Sequence, residues 1–242
     1  MENQPYRTLC LEELRRRIAR LEMARQGGDY ASLPSGCPAL DQVLPEKGFR
    51  RGTLVEWLSA GEGSGAGTLA VLAAREACHD GGVLVVIDRR RDFCPPAAVR
   101  LGIEPEQLIV VHAESAADQD WAMDQVLRSP AVAAVLAWPE RIADRTFRRW
   151  QLAVEQGGGL GLLLRPEAAR ADPSWADVRL WVEPRRSVLR CHVRLLRIVF
   201  LRCRGGTVGR TVEVELDDET YRVHPVAGRP LPIANGKMRM AN

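Results

Sequence analysis

A glycine-rich loop, Ser59-Ala60-Gly61-Glu62-Gly63-Ser64-Gly65-Ala66-Gly67-Thr68, separates an apolar strand-like run (53–58) from an alanine-rich helical run (68–78). Strand, glycine turn, helix is the setting in which backbone N–H groups and a helix N-terminus cradle phosphates. It therefore points to a parallel α/β sheet with a loop at a strand's carboxyl end. The working pattern needs Gly-Lys-Ser/Thr at the helix start, the lysine for the β- and γ-phosphates and the hydroxyl for Mg²⁺. Here those positions read Gly65-Ala66-Gly67, and the whole chain holds two lysines, Lys47 and Lys237. Thr68 offers a hydroxyl one position late. The scaffold of a nucleotide site is present without its charge.

The rest of the chain fits that scaffold. With 242 residues and 46% apolar content it can bury one full α/β core with a short appendage. Its longest apolar runs, 160–164 and 83–87, are far too short to span a bilayer, and the N-terminus has no apolar signal core, so the expected location is cytoplasmic, with no membrane partner. Six widely spaced cysteines (10, 37, 78, 94, 191, 203) form no C-x-x-C pair, which argues for reduced thiols and against zinc or a disulfide scaffold. The net charge of +3 is mild, but eight arginines and no acid fall between Arg185 and Arg210. That block is a candidate surface for nucleic acid or for an acidic partner.

Residues 5–25 read as an amphipathic helix. Leu11, Leu14, Ile18 and Leu21 recur at three/four spacing, and Arg15, Arg16, Arg17 and Arg20 occupy other faces. This helix docks either on its own domain or on another chain. From Leu33, strand-like runs at 53–58, 83–88, 108–112, 133–138, 160–164 and 178–183 alternate with helical stretches at 68–79, 95–101, 116–128 and 144–156. Such alternation predicts a parallel sheet covered on both faces. Beyond residue 178 the runs 193–201, 210–216 and 221–226 predict antiparallel strands that extend it. The domains are thus residues 1–30 (helix and linker), 31–227 (core) and 228–242 (Pro/Gly-rich tail).

The order of these elements resembles the RecA-like recombinase core. Leu33-Pro34-Ser35-Gly36-Cys37-Pro38-Ala39-Leu40-Asp41-Gln42-Val43-Leu44 is similar to the family's opening segment. Arg51-Gly52-Thr53-Leu54-Val55-Glu56 is similar to the strand before its phosphate loop, and Val83–Asp88 with 97–103 and 108–111 to the following unit. The resemblance covers about residues 33–226. It implies an α/β, RecA-like P-loop-type core with a mostly parallel sheet, antiparallel C-terminal strands and an N-terminal amphipathic helix. Within that class the basic N-terminal helix, the eroded loop and the turn Leu201-Arg202-Cys203-Arg204-Gly205-Gly206, with Gly209 after it, resemble the ImuA-like accessory proteins of bacterial translesion-synthesis cassettes. That family resembles in turn the SulA-type division inhibitors.

Three positions depart together from an active recombinase. Ala66 and Gly67 replace the lysine and the metal-binding hydroxyl. The strand 133–138 ends on Trp138, where the family carries a metal-shell aspartate. After Asp88, where a carboxylate would orient the attacking water, stands Arg89-Arg90-Arg91, with Asp92 out of register. Phosphoryl transfer rests on charge stabilisation and positioning, so these losses leave no mechanism for hydrolysis. The segments after the fourth and fifth strands (139–144 and 166–177) are also too short for long DNA-binding loops.

The resemblance accordingly implies a non-catalytic pseudo-ATPase adaptor in the bacterial DNA-damage (SOS) response, assisting error-prone translesion synthesis and mutagenesis. The alternatives are a SulA-like division inhibitor and a RecA-like protein with residual nucleotide binding. Its implied partners are an ImuB-like Y-family polymerase homologue and RecA, with DNA a further candidate. No cofactor or metal is expected; the alternative is weak ATP or ADP binding by the nest Gly61, Gly63, Ser64, Gly65, Ala66, Gly67 and Thr68. Candidate partner or DNA contacts are Leu14, Arg15, Arg16, Ile18 and Leu21 on the N-terminal helix, and Arg185, Arg186, Arg202 and Arg204 after residue 185. Arg202 and Arg204 read equally as interface contacts and as outward residues on a strand whose Leu201 and Cys203 face inward. His112, Glu114, Asp118, Asp120 and Asp124 straddle a strand end and a helix start, where acids are favourable without any metal. Trp121, Trp138, Trp150, Trp175 and Trp181 are expected in the core, and Trp57 in a strand.

Overall fold

The computed structural model describes residues 32–61, 63–186 and 192–226, all in the compact unit Ser32–Asn242. The N-terminal helix expected from the sequence, with Leu14, Arg15, Arg16, Ile18 and Leu21, lies outside the described residues.

Among the described residues, nine strands form one sheet. In chain order they are β1 (Thr53–Ser59), β2 (Val83–Ile87), β3 (Leu108–Val111), β4 (Val132–Ala137), β5 (Leu160–Pro166), β6 (Val178–Arg185), β7 (Val193–Cys203), β8 (Thr211–Asp217) and β9 (Val223–Pro225). Their order across the sheet is β3-β2-β4-β5-β1-β6-β7-β8-β9. Pairing is parallel from β3 to β6 and antiparallel from β6 to β9, as the sequence predicts.

Among the described residues, five α-helices accompany the sheet: α1 (Pro38–Asp41), α2 (Ala66–Cys78), α3 (Pro95–Arg100), α4 (Ala116–Leu127) and α5 (Asp144–Gly157). One core cluster joins α1 and α2 to one face of the sheet, with Leu40, Leu69, Leu72, Val55, Trp57, Leu196, Ile198 and Phe200. A second joins α4 and α5 to the other face, with Met123, Leu127, Phe147, Trp150, Leu54, Val135 and Leu163. Alternation along each central strand divides its side chains between the two, as a sheet buried on both faces requires. Helix α2 is alanine-rich because it is buried almost all round, and small side chains let it lie close to the sheet. Opposite it, a Cβ added at Gly36 would stand 2.9 Å from the Leu72 Cβ.

Two sequence expectations are corrected. Trp121 and Trp175 are 67% and 36% exposed, not core residues, because Trp121 sits on the solvent side of its helix and Trp175 lies in the loop before β6. Leu201 and Cys203 do not share a face. The β6–β7 register shifts between Arg179 and Leu180, a bulge that sends Leu201 to a small cluster with Leu58, Ala169 and Trp181, while Cys203 joins the α2-side core.

Candidate functional site

The glycine loop leaves β1 at Ser59 and enters α2 at Ala66, as its position in the sequence requires. Gly61, Gly63 and Gly65 have φ of 135°, 71° and 85°, conformations that only glycine adopts freely. Gly65 also caps α2, and a Cβ there would stand 2.5 Å from Leu196 Cδ1, so the loop rests on the apolar face of β7. The loop's polar groups are bonded to one another. The Ser59 and Ser64 hydroxyls are 2.8 Å apart, Ser59 Oγ accepts the Gly61 N–H (3.1 Å), and Ser64 Oγ accepts the Ala66 N–H (3.4 Å).

From β7, Arg194 reaches over and donates to the Gly63 carbonyl (3.0 Å). The same guanidinium grips Asp218, with Nη2 2.6 Å from Oδ1 and Nε 2.7 Å from Oδ2. The sequence alone shows Arg194 only as one of a run of arginines. At the lysine position Ala66 is 1% exposed. Gly67 and Thr68 follow in the first turn, half-buried. Lys47 sits in a surface turn after α1, with φ 56°.

Two neighbouring strand ends complete this edge of the sheet. At the end of β2, Asp88 is buried and accepts three backbone N–H groups, from Arg91 (2.8 Å), Asp92 (3.3 Å) and Phe93 (2.9 Å). Its carboxylate builds the turn that displays Arg89, Arg90 and Arg91, and Arg90 pairs with Asp92 at 2.8 Å on the surface. At the end of β4, Trp138 packs against Phe93 with ring centroids 6.1 Å apart. An apolar contact thus occupies the position expected of a metal-shell acid.

The segment between β5 and β6, including the short 3₁₀ helix Glu167–Ala171, is fastened by a charged network that sequence reading missed. Glu56 of β1, wholly buried, takes Arg165 Nη1 at 2.8 Å and the Ser174 hydroxyl at 2.6 Å. Arg179 Nε lies 2.8 Å from its other oxygen, too bent for a hydrogen bond, so that contact is coulombic. Arg165 also binds Asp172 (2.8 Å) and the Glu140 carbonyl (3.1 Å); Arg179 binds the carbonyls of Ala169, Arg170 (3.3 Å) and Asp172 (3.0 Å). The available signal was the lone charge in each of the apolar strands β1 and β5, with Arg179 near the start of β6, since such a residue survives burial only when paired.

The arginine block is correspondingly not an arginine-only surface. Acids from outside the block meet it: Asp218 at Arg194, Glu183 at Arg197 (3.1 Å) and Asp177 at Arg204 (3.3 Å). Arg202 donates to the Ser174 carbonyl, so Arg202 and Arg204 both face the 172–177 segment of their own chain. Arg185 and Arg186 remain exposed and line an open cleft of about 500 Å³ with Pro184, Leu195 and Glu213. Among the described residues no group of His, Cys, Asp and Glu is arranged to hold a metal, and no helix is long and apolar enough to cross a membrane. Asp118 instead closes a capping box with Ser115 at the start of α4. Cys37, Cys78, Cys94 and Cys203 are free, and burial pushes the thiols of Cys37 and Cys78 up to about 12 and about 11, so both stay protonated.

Comparison with known proteins agrees with this architecture. The family model for the RecA N-terminal domain matches residues 15–138. Protein RecA of Chlorobaculum parvum is 32% identical over 133 residues, 53% of this chain and 38% of that protein. Protein RecA of Picosynechococcus sp. is 33% identical over 128 residues, 51% of this chain and 36% of that protein. Protein ImuA of Caulobacter vibrioides is 33% identical over 146 residues, 57% of this chain and 60% of that protein. The match therefore spans well under half of each RecA and about three fifths of ImuA. With the sheet order, the loop's position and half of its length matched, the chain belongs to the RecA N-terminal domain family and is ImuA-like.

Proposed function

We propose that this chain is a non-catalytic, RecA-like adaptor of the bacterial DNA-damage response that assists or regulates error-prone translesion synthesis. The observation that carries the reading is the treatment of three strand ends. The loop presents Ala66 for lysine, β4 ends on Trp138 packed against Phe93, and the Asp88 carboxylate is spent on a backbone turn. A magnesium nucleotide triphosphate brings several negative charges, and this set does not fit it. Removing a single charge-stabilising donor commonly costs about a hundred- to a thousand-fold in rate. Here lysine, metal ligand and water-orienting acid are missing together, so neither a cofactor nor turnover is expected. Likeness to ImuA supports the cellular role, with an ImuB-like polymerase homologue and RecA as partners.

The test is phosphate release by the purified chain with MgATP, expected at buffer background. Ala66→Lys alone is expected to leave it there, because Trp138 and Arg89–Arg91 are unchanged. Turnover above background that disappears on altering Gly65 or Thr68 would overturn the reading. In cells, loss of the gene is expected to lower damage-induced mutagenesis; filamentation on overexpression with mutagenesis unchanged would replace the adaptor with a division inhibitor.

A further inference from the structure

The glycine loop is closed by its own chain. Arg194, the second residue of β7, points to the sheet face that carries α2, as Leu196 does two positions on. Strand β7 thus meets the loop at alternate residues, with Leu196 as an apolar floor under Gly65 and Arg194 as a donor to the Gly63 carbonyl (3.0 Å). The Asp218 N–H donates to the His192 carbonyl (2.8 Å), which carries the β7–β8 pairing one step past the end of β8 and sets the Asp218 carboxylate beside Arg194. There it accepts from Nε (2.7 Å) and Nη2 (2.6 Å), a two-pronged, charge-assisted grip. One guanidinium therefore ties the loop to the ends of two strands.

Two observations bear on what this arrangement does. Among the described residues, the Arg194 bond is the one hydrogen bond by which the stretch 61–64 reaches beyond the loop; Ser59, Gly61, Ser64 and Ala66 otherwise bond to one another. A phosphate loop is ordinarily drawn together around the anion it holds, whereas this one has Ala66 at the lysine position and a guanidinium holding it from outside. The second observation is exposure. The Arg194 and Asp218 side chains are 33% and 38% exposed, and an ion pair so open to water stabilises a fold only weakly. Its effect is therefore local, setting how often the loop opens and not whether the domain folds.

We propose that Arg194 and Asp218 form a clasp that orders the glycine loop without any ligand, making it a fixed part of the surface at the carboxyl ends of the parallel strands. The clasp deepens the reading of the loop as one that carries no nucleotide, but it rests on different residues. The test is hydrogen–deuterium exchange of the full chain without nucleotide, comparing peptides that cover residues 59–69 with peptides from β2 and β5. The N–H groups of Gly61, Ser64 and Ala66, bonded within the loop, report its opening. Arg194→Met keeps the side chain's apolar stem and removes its donors; Asp218→Asn keeps the shape and removes the charge.

The parent loop is expected to exchange slowly, and each variant to speed it about fivefold to tenfold while β2 and β5 keep the parent's rates. Both variants break one interaction, so the double variant is expected to be no faster than Arg194→Met alone. A parent loop that already exchanges like an unstructured peptide, variants that leave it unchanged, effects that add in the double variant, or acceleration spread equally over β2 and β5 would each overturn the clasp. Added MgATP separates the two readings. Slower exchange of the parent loop, with the variant effects intact, would sink the no-nucleotide reading and keep the clasp.

Discussion

Single residues carry the proposed departure from an active nucleotide site, and they are readable because chemistry at a strand end depends on residue type. Ala66, Trp138 and Arg89–Arg91, on which that reading rests, stand in the sequence without any coordinates. What a residue's neighbours do to its charge was less visible. Glu183 accepts the Trp181 indole N–H (3.1 Å) and meets Arg197 (3.1 Å), and these contacts, the indole first, hold its carboxyl below the usual range. A depressed carboxylate stabilises the fold above its unfolded pKa, and that stability is lost as pH falls through the folded one. Glu183→Gln is therefore expected to lower the urea midpoint at neutral pH and to match the parent chain at pH well below about 4. A gap that stays constant across that range would contradict the assignment.

Among elements, the segment between β5 and β6 stands out, because buried charges from three strands hold it in place. Glu56, Arg165 and Arg179 turn the sheet polar beneath it and tie its carbonyls and Ser174 down. Removing one partner of a buried charge set leaves the others uncompensated, typically costing about 3–5 kcal/mol. Glu56→Gln should destabilise the fold by about that amount and admit protease between residues 167 and 177, both measurable on one sample by denaturation and limited proteolysis. Unchanged stability would mean that Asp172 alone balances Arg165. The elements themselves were legible, since periods of two and 3.6 follow from local burial. Trp121 shows the limit of that reading. Its helical neighbours Ala117, Asp118, Asp124 and Gln125 are small or polar, a sign that the aromatic faces water, yet size alone suggested the core.

At the scale of the molecule, the adaptor reading assigns partner contacts to surfaces outside the sheet's core. Deleting residues 1–27 is expected to abolish RecA association in a pull-down, with the far-ultraviolet spectrum recorded on the same sample to check that the core still folds. Undiminished association would remove residues 1–27 from that role. By itself the sequence determined the α/β class, the parallel-then-antiparallel sheet, and a glycine-rich loop between the first strand and the helix after it, all of which depend on residue type and short-range periodicity. Only the tertiary structure decided which acids meet the arginines, that Arg194 closes over the loop, and that Glu56 fastens the segment after β5. Glu56 and Arg165 are 109 residues apart, and Arg194 and Gly63 are 131 apart. Strand order brings such pairs together, and no local pattern encodes it.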